Sequence, residues 1–314
     1  MSPRNRIDRL ILLIFICFNS LIARPQSAAD TAGKVIDFIS DTQQPMGIEK
    51  LKLKSNHNEQ ATAMIFSDIL KTRPMTVYIL GDVVAVGSSN NKWAHVDRFI
   101  DSCRKEGIPV HGLLGNHDVM WSRKKGEKRF QKRFPDNVDT GYVSIIDSVA
   151  IILLNSNFKK LKPEEISSEL QWYKRTLGKL DENDAIRVII VTCHHAPYSN
   201  SLIVGSSKKV QEYFVPPFIE TKKAALFITG HSHAFEHFLF FQKHFLVIGG
   251  GGGLHQPLDS SVNRIPDLAI HFKPMFHYLS IQRTNGELLI TSHFLKPDFS
   301  GFAMGYSFKI PNPK

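Results

Sequence analysis

Five apolar segments of this chain are each followed by residues that can bind divalent metals. The clearest is Gly115-Asn116-His117-Asp118, where a glycine allows a sharp turn, so that an amide, an imidazole and a carboxylate leave a strand end together. Asn, His and Asp are also common in ordinary turns, so one such segment is weak evidence. The other groups are Asp41 with Gln43, Asp82, His194 with His195, and His231 with His233.

The residue types indicate which chemistry the groups could support. Imidazole, carboxylate and amide oxygen together suit divalent ions of intermediate hardness such as Mn, Fe, Zn or Co. Seven such groups are enough for two ions. Two ions about 3.5 to 4 Å apart can share a carboxylate, hold a phosphoryl oxygen and lower the pKa of a bridging water, which creates the hydroxide for in-line attack. A phosphoester is the natural substrate of such a site.

The elements that must position these groups read as an α/β arrangement. Strand-like runs at residues 35–40, 76–80 and 110–114 alternate with helix-like segments near residues 59–71 and 92–106. This alternation is typical of parallel strands connected by crossover helices. Because the carboxyl ends of parallel strands share one edge of an open sheet, groups spread over about 190 positions can converge there.

The second half reads as mostly antiparallel strands with one long helix. Residues 121–133 are rich in Lys and Arg and predict an exposed loop or short helix. The remaining expectations are a hairpin of residues 142–146 and 149–154, a helix over 163–180, strands over 187–192 and 224–229, and antiparallel strands over 235–241, 245–248, 277–282 and 287–294. Residues 249–253 are all glycine, and since no Lys-Ser or Lys-Thr pair follows, they indicate tight backbone packing rather than phosphate binding.

The motifs as a set resemble a known family. Asp41-x-Gln43, Gly81-Asp82, Gly115-Asn116-His117-Asp118, His194-His195-Ala196-Pro197 and Gly230-His231-Ser232-His233 are similar to those of the calcineurin-like metallophosphoesterase superfamily, which includes purple acid phosphatases and phosphodiesterases. The resemblance covers about residues 35–295. It implies an α/β fold, a four-layer α/β/β/α sandwich of two mixed sheets flanked by helices.

The resemblance also implies a role for each site residue. One metal would be bound by Asp41, Gln43, Asp82 and His233, and the other by Asp82, Asn116, His194 and His231. Asp82 would therefore bridge the two ions. His117 would face the substrate phosphate, either stabilising charge or protonating the leaving oxygen, and Asp118 would orient its ring.

Two positions depart from the family pattern. The family usually has Asp-x-His in its first motif, whereas Gln43 offers an amide oxygen in place of the imidazole nitrogen, which affects affinity and metal preference. At the fourth motif, superposition through Tyr198 makes His194 the ligand, whereas a plain His-x-Pro reading selects His195. We take His194 as the ligand and Cys193 as a small core residue.

The N-terminus has the pattern of a secretory signal peptide. Three arginines precede an apolar run over residues 10–18, and small residues follow at 27–29. We expect cleavage near Ala29, one metallophosphoesterase domain over residues 30–314, and an exported location, periplasmic, extracellular or in the secretory pathway. An uncleaved segment acting as a membrane anchor is the alternative.

Composition and charge limit the function classes. Hydrophobic content of 42% and charged content of 22% are those of a globular protein, which excludes disorder outside the ends. The chain carries a formal charge of +10, and removing residues 1–29, with four arginines and one aspartate, leaves +7. This excess suits anionic substrates or anionic surfaces, although a solvated basic face is as common. The two cysteines beyond residue 29 imply no disulfide framework.

We therefore expect an exported phosphohydrolase with two divalent metals and a small-molecule phosphoester substrate, either monoester or diester. Nucleotide pyrophosphatase or nuclease activity is the enzymatic alternative, but aromatic residues are hardly interleaved with the basic stretch, so nucleic acid is not favoured. A non-catalytic interaction scaffold is the third possibility. Substrate choice would depend on loops near residues 42–58, 119–141, 196–207 and 254–276.

Overall fold

A computed structural model of the protein describes residues 35–51, 53–138, 140–269, 271–272, 275–284 and 286–313. The predicted signal peptide, residues 1–29, and the beginning of the predicted domain lie outside these residues. Export, signal cleavage and the domain boundary at residue 30 therefore stay predictions. Among the described residues, no helix combines the length and apolar character needed to cross a bilayer.

The first half of the described chain alternates strands and helices, as predicted. Its elements are β1 (Val35–Ile39), α1 (Asn58–Thr72), β2 (Thr76–Leu80), α2 (Asn90–Lys105), β3 (Val110–Leu113), α3 (Arg123–Arg133), β4 (Tyr142–Ile146) and β5 (Val149–Leu153). Strand β2 pairs in parallel with both β1 and β3, and β4 pairs antiparallel with β5 through the predicted turn at Asp147 and Ser148. The basic stretch forms a helix of 11 residues.

The second half contains the long helix and most of the antiparallel pairing. Its elements are α4 (Pro163–Glu182), β6 (Val188–Thr192), α5 (Lys208–Tyr213), α6 (Val215–Glu220), β7 (Ala224–Thr229), β8 (Phe235–Phe240), β9 (Lys243–Ile248), β10 (His277–Arg283), β11 (Glu287–Leu295) and β12 (Phe302–Pro311). Strand β12 was not predicted. It is an edge strand whose residues are mostly part-exposed, so it lacks the apolar pattern that identifies a buried strand.

The strands form two sheets of six, in the orders β12-β11-β10-β1-β2-β3 and β4-β5-β6-β7-β9-β8. The expectation that the five motif-bearing strands share one open sheet is wrong, because β1, β2 and β3 lie in the first sheet and β6 and β7 in the second. Strand β9 also pairs in parallel with β7 rather than joining only antiparallel neighbours. Apolar runs predict buried strands but carry no information about which sheet a strand joins.

Three apolar cores separate four layers. Alternation along β2 places Tyr78 and Leu80 in the core between the sheets, and Val77 and Ile79 in the core beneath α1, α2 and α3. A third core lies between the second sheet and α4, α5 and α6, where Tyr173 and Phe218 are fully buried. The order helix, sheet, sheet, helix confirms the predicted four-layer α/β/β/α sandwich.

Candidate metal centre

The residues after β1, β2, β3, β6 and β7 meet where the two sheets face each other. Asp82, His194 and His231 offer ligand atoms that all lie within 4.8 Å of one another. Asp41 joins them, because its Oδ1 is 3.4 Å from Nε2 of His233 and its Oδ2 accepts a hydrogen bond from the backbone N–H of His231. The structure thus brings together side chains from both sheets.

Three of these residues have backbone angles in the left-handed region. The φ angles are 60° at Asp41, 48° at Asp82 and 68° at His231. This conformation costs non-glycine residues roughly 1 kcal/mol each, so surrounding contacts must stabilise it. It turns each side chain out of the strand direction at the point where the strand ends. Such strain is typical of functional sites.

Two histidines of the second sheet are oriented by backbone carbonyls. His194 donates from Nδ1 to the carbonyl of Leu80 over 2.9 Å, and His233 donates from Nδ1 to that of Leu254 over 2.6 Å. Because a carbonyl only accepts, each Nδ1 carries a proton, and Nε2 is the ring nitrogen that could bind a metal. Nε2 of His194 lies 3.2 Å from Oδ2 of Asp82, so two acceptors face each other. A proton or a divalent cation between them would turn repulsion into attraction.

Other polar atoms at the same place have no hydrogen-bond partner among the described residues. They are Oδ1 of Asp41, Oδ1 of Asn116 and Nε2 of His194, all buried. Oδ1 of Asp41 and Nε2 of His194 do lie within ion-pair distance of His233 and Asp82, but without a hydrogen bond. Buried polar atoms are nearly always paired, so these three atoms from a carboxylate, an amide and an imidazole require an explanation. These donor types are those of a Mn, Fe, Zn or Co site, and the residues therefore fit a bound metal.

Gln43 lies at the edge of this group. Its amide is 3.2 Å from Nε2 of His233. When the amide nitrogen donates to the backbone oxygens of Asp41 and Asp82, the amide oxygen faces the His233 ring. In that orientation the oxygen lies 3.2 Å from Nε2 of His233 and accepts a hydrogen bond from it when that nitrogen is protonated.

Charge and burial shift the pKa values of the central groups in opposite directions. Burial alone would raise the pKa of Asp82, but the neighbouring His194 and His117 lower it well below its usual range. Burial lowers the pKa of His194, yet the carboxylates of Asp82 and Asp41 outweigh it and raise that pKa to about 9. Burial lowers the pKa of His231, which is thereby held neutral. The carboxylate of Asp82 is thus anionic, the form a metal requires.

His117 lies beside Asp82 with its ring at the cavity wall. Its Nδ1 donates to the carbonyl of Ala85 over 3.0 Å, and its Nε2 is 3.8 Å from Oδ2 of Asp82 and 3.9 Å from Oε1 of Glu49. The expected contact of this ring with Asp118 differs from the structure. Asp118 instead accepts hydrogen bonds from backbone N–H groups, those of Gly115, Val83 and Val84.

Asp118 therefore holds the turn rather than the ring. Its fully buried carboxyl ties the turn after β3 to the loop after β2. Burial, together with nearby Asp82, raises the pKa of Asp118 to about 7. Asx-type hydrogen bonding to nearby N–H groups is the ordinary way in which an aspartate stabilises a turn. The sequence motif alone could not separate this role from contact with the ring.

The fourth motif places His194, not His195, against Asp82. His195 contacts Ser156 through Nδ1 over 2.8 Å, and its ring centre is 4.5 Å from that of His231. Cys193 is fully buried, as expected of a small core residue, and its thiol donates to the carbonyl of His195. His195 is thus a neighbour of the centre, with its ring beside that of His231 and its Nδ1 bonded to Ser156.

The glycine run after β9 packs against the first motif and the second-sheet histidines. Gly251 and Gly253 donate backbone hydrogen bonds to the carbonyls of Ser40 and Asp41. A side chain at Gly253 would collide with the ring of His233. The prediction of tight backbone packing is confirmed, and this packing holds the loop that carries Asp41.

A cavity of about 210 Å³ opens onto the centre. Beyond the metal-binding side chains it is lined by Glu49, Leu53, Ile203, Val204 and Gln256. Sequence reasoning named none of these residues, because they lie in no motif. They lie in three of the loops that the sequence predicts to control substrate choice, so the loops were identified although the individual residues were not.

The fold and sequence can be compared with known proteins. Residues 34–235, more than half of the chain, match the family model described as calcineurin-like phosphoesterase. A comparison with curated proteins gave no significant match. Among solved structures, a purple acid phosphatase from yellow lupin (Lupinus luteus) seeds matches with a TM-score of 0.61 and 14% identity, over 88% of this chain and 53% of that chain.

Two further structures match over most of their length. A dimetal phosphatase from Danio rerio has a TM-score of 0.58 and 14% identity, over 89% of this chain and 99% of that chain. GAP50, the anchor in the inner membrane complex of Plasmodium, has a TM-score of 0.61 and 15% identity, over 90% and 89%. At identities this low, the structural matches establish the fold alone. The chain spans about half the length of the lupin protein. On the family match, the chain belongs to the calcineurin-like phosphoesterases.

Proposed function

We propose that this chain is an exported, metal-dependent phosphohydrolase that cleaves phosphomonoesters or phosphodiesters. The observation that carries the proposal is the convergence of Asp82, His194 and His231 within 4.8 Å, beside unpartnered atoms of Asp41 and Asn116. Two structural relatives are named phosphatases, which agrees with this activity. Export rests on the arginines and apolar run of residues 1–29.

Two divalent ions would be held by residues of both sheets. Asp41, Gln43, Asp82 and His233 form the proposed first set, and Asp82, Asn116, His194 and His231 the second. Bound ions would supply Lewis-acid polarisation of the phosphoryl group and activation of a water molecule. Asp82 belongs to both proposed sets as a shared ligand, and the low pKa of its carboxyl group supports this role.

The protein itself supplies His117 as the proposed catalytic residue. Since its Nδ1 is occupied by the carbonyl of Ala85, Nε2 is the ring atom that faces the cavity. From there it can bind a phosphate oxygen or pass a proton to the leaving oxygen. Asp118 is proposed as a positioning residue, because it fixes the turn that carries His117 and Asn116.

A metal and substrate panel tests the proposal. Purified protein would be assayed for metal content and for phosphate release from monoesters and diesters, with Mn, Fe, Zn or Co added. We expect bound metal and metal-dependent hydrolysis, lost in Asp82→Ala and reduced together with metal content in Asn116→Ala. Asp101→Asn, a change of an exposed carboxylate on α2, is the control and should leave both unchanged.

The same panel separates the competing functions. A rate that survives Asp82→Ala would refute the proposed centre. Cleavage of DNA or of dinucleotides in preference to simple esters would favour nuclease or pyrophosphatase activity. A folded protein without metal or activity would instead favour a scaffold, in keeping with GAP50, the anchor in the inner membrane complex of Plasmodium.

A further inference from the structure

A second cavity, of about 520 Å³, adjoins the candidate metal centre. It shares Asn116, Val204 and His231 with the first cavity, so the two open onto the same group of ligands. Its outer wall is lined by four lysines, Lys159, Lys160, Lys208 and Lys209. A molecule bound at the centre could therefore extend directly into this space.

The two cavities differ in charge. The first contains the carboxylates of Glu49 and Asp82. The second is lined by no carboxylate among the described residues, and its four lysines are all solvent-exposed. The lysine ion pairs of the described chain are Lys162 with Glu164 and Lys309 with Glu287, so none of the four is neutralised in that way. Lysines clustered around a concave site attract anions through their summed field.

This arrangement contrasts with the basic helix α3. Its Arg123 pairs with Glu165 and its Arg133 with Asp97, so part of the positive charge of α3 is neutralised by ion pairs with other segments. Lys124 and Lys125 of α3 are exposed and line neither cavity. The lysines of the second cavity come from two separate segments, the loop after β5 and the first turn of α5. Their approach from two sides results from the tertiary structure.

The floor of the second cavity offers a further polar group. The backbone N–H of His195 donates to Oγ of Ser156, so the Ser156 hydroxyl can donate to Nδ1 of the same histidine. With Nδ1 bonded to Ser156, Nε2 is the other ring nitrogen, and in the tautomer in which Ser156 donates to Nδ1 this Nε2 carries the proton and donates. His195 lines the cavity beside His231, so in that tautomer its Nε2–H is a donor at the cavity wall.

We infer that the second cavity binds a phosphate group on the leaving-group side of the substrate, and that the preferred substrates carry two phosphates. The inference rests on the proposed function, since it names the substrate class of the same centre. One phosphate occupies the metal centre and is cleaved, while the other contacts the four lysines and His195. We expect the removal of two lysines to weaken binding about tenfold, which corresponds to about 1.4 kcal/mol, or about 0.7 kcal/mol for each solvent-exposed charge contact.

The test compares matched substrates and matched variants. The double variant Lys208→Ala with Lys209→Ala removes two charges from the first turn of α5, and Lys124→Ala with Lys125→Ala removes two from the first turn of α3. Phosphate release would be measured with fructose 1,6-bisphosphate and fructose 6-phosphate. We expect the KM for fructose 1,6-bisphosphate, divided by the KM for fructose 6-phosphate, to rise about tenfold in the α5 variant. The same ratio should stay at its wild-type value in the α3 variant. An unchanged ratio in both, or an equal change in both, overturns the inference.

A binding measurement keeps this result separate from the proposed function. Calorimetric titration of metal-depleted protein at low salt would compare the same two sugar phosphates. We expect tighter binding of the bisphosphate, reduced in the α5 variant but not in the α3 variant. Protein that binds in this manner but hydrolyses no phosphoester refutes the enzyme and retains the phosphate site. Equal binding of both sugars by wild type refutes the site.

Discussion

The two sheets contribute different chemistry to the candidate metal centre. The loops after the first sheet supply oxygen atoms, from Asp41, Gln43, Asp82 and Asn116. The loops after the second sheet supply ring nitrogens, from His194, His231 and His233. The oxygen atoms and the ring nitrogens of the candidate centre therefore come from different sheets.

Each sheet also orients the ligands of the other. The ring of the second-sheet residue His194 is held by the carbonyl of Leu80, in β2 of the first sheet. The first-sheet carboxylate of Asp41 is held in turn by the backbone N–H of His231. Neither half can present its ligands correctly until the sheets have packed. We therefore expect metal binding and the packing of the two sheets to stabilise each other.

The largest effect should follow from removing the carboxylate that both metal sets share. We expect Asp82→Ala on the first sheet to lower the rate by about 10³-fold, since bound ions contribute several kcal/mol to the transition state. His231→Ala on the second sheet removes a ligand of one set and should retain part of the metal. Metal-to-protein ratios from mass spectrometry, with phosphate-release rates, would check the difference. Equal metal loss in both variants would contradict a bridging role for Asp82.

A smaller effect should follow from removing a side chain that acts on substrate without binding metal. We expect His117→Ala to lower kcat by about 10²-fold to 10⁴-fold, the usual contribution of acid–base catalysis, with metal content unchanged. Rates and metal analysis on the same samples would test this. Concurrent loss of metal would assign His117 to the ligand set, and circular dichroism would identify a variant that has only unfolded.

Replacing one oxygen donor of the first sheet by a nitrogen donor would test the difference between the two sheets. Gln43→His places an imidazole among the oxygen ligands, as the family pattern has it. We expect metal affinity at that set to change by about tenfold and the preference to move towards Zn, because imidazole nitrogen suits Zn better than amide oxygen does. Competition titration with a metal-binding dye would report both. Gln44→His, at the neighbouring position, is the control, and identical changes in both variants would exclude coordination by residue 43.

The smallest effect concerns the support of the second sheet. Glu169 of α4 is fully buried and accepts a hydrogen bond of 2.6 Å from the backbone N–H of Asn155, next to Ser156. Burial raises the pKa of Glu169 from the ordinary 4.5 to about 8. The unfolded chain therefore loses this proton at lower pH than the folded one, and stability falls as the pH rises through this range.

Glu169→Gln should remove that dependence. We expect wild type and variant to differ little at pH 4.5, and the variant to be more stable at pH 8 by up to about 5 kcal/mol, since the shift from 4.5 spans about 3.5 pKa units and one unit corresponds to about 1.4 kcal/mol. Urea unfolding at the two pH values would measure it. Glu164→Gln, an exposed change on the same helix, should show no such trend. A stability difference between wild type and Glu169→Gln that is the same at both pH values would disprove the raised pKa of Glu169.

Much of the candidate centre could be predicted from local sequence. Apolar runs that end in Asp, Asn or His revealed the strands and their metal-binding ends, since strand pattern and ligand type are both local properties. The role of Asp118 was missed, because a turn aspartate beside a histidine can bond either to the ring or to the backbone. Strand β12 was missed because an edge strand needs no continuous apolar face.

The sequence by itself determined the ligand types, their order along the chain and the α/β character of the fold. The tertiary structure alone decided that the oxygen and nitrogen groups of the candidate centre come from different sheets, that Leu80 orients His194 across them, and that lysines from two distant segments share one cavity. The physical reason is that these relations join residues far apart in the chain. They arise only when the sheets pack, and no local pattern of residue types records which distant segments will meet.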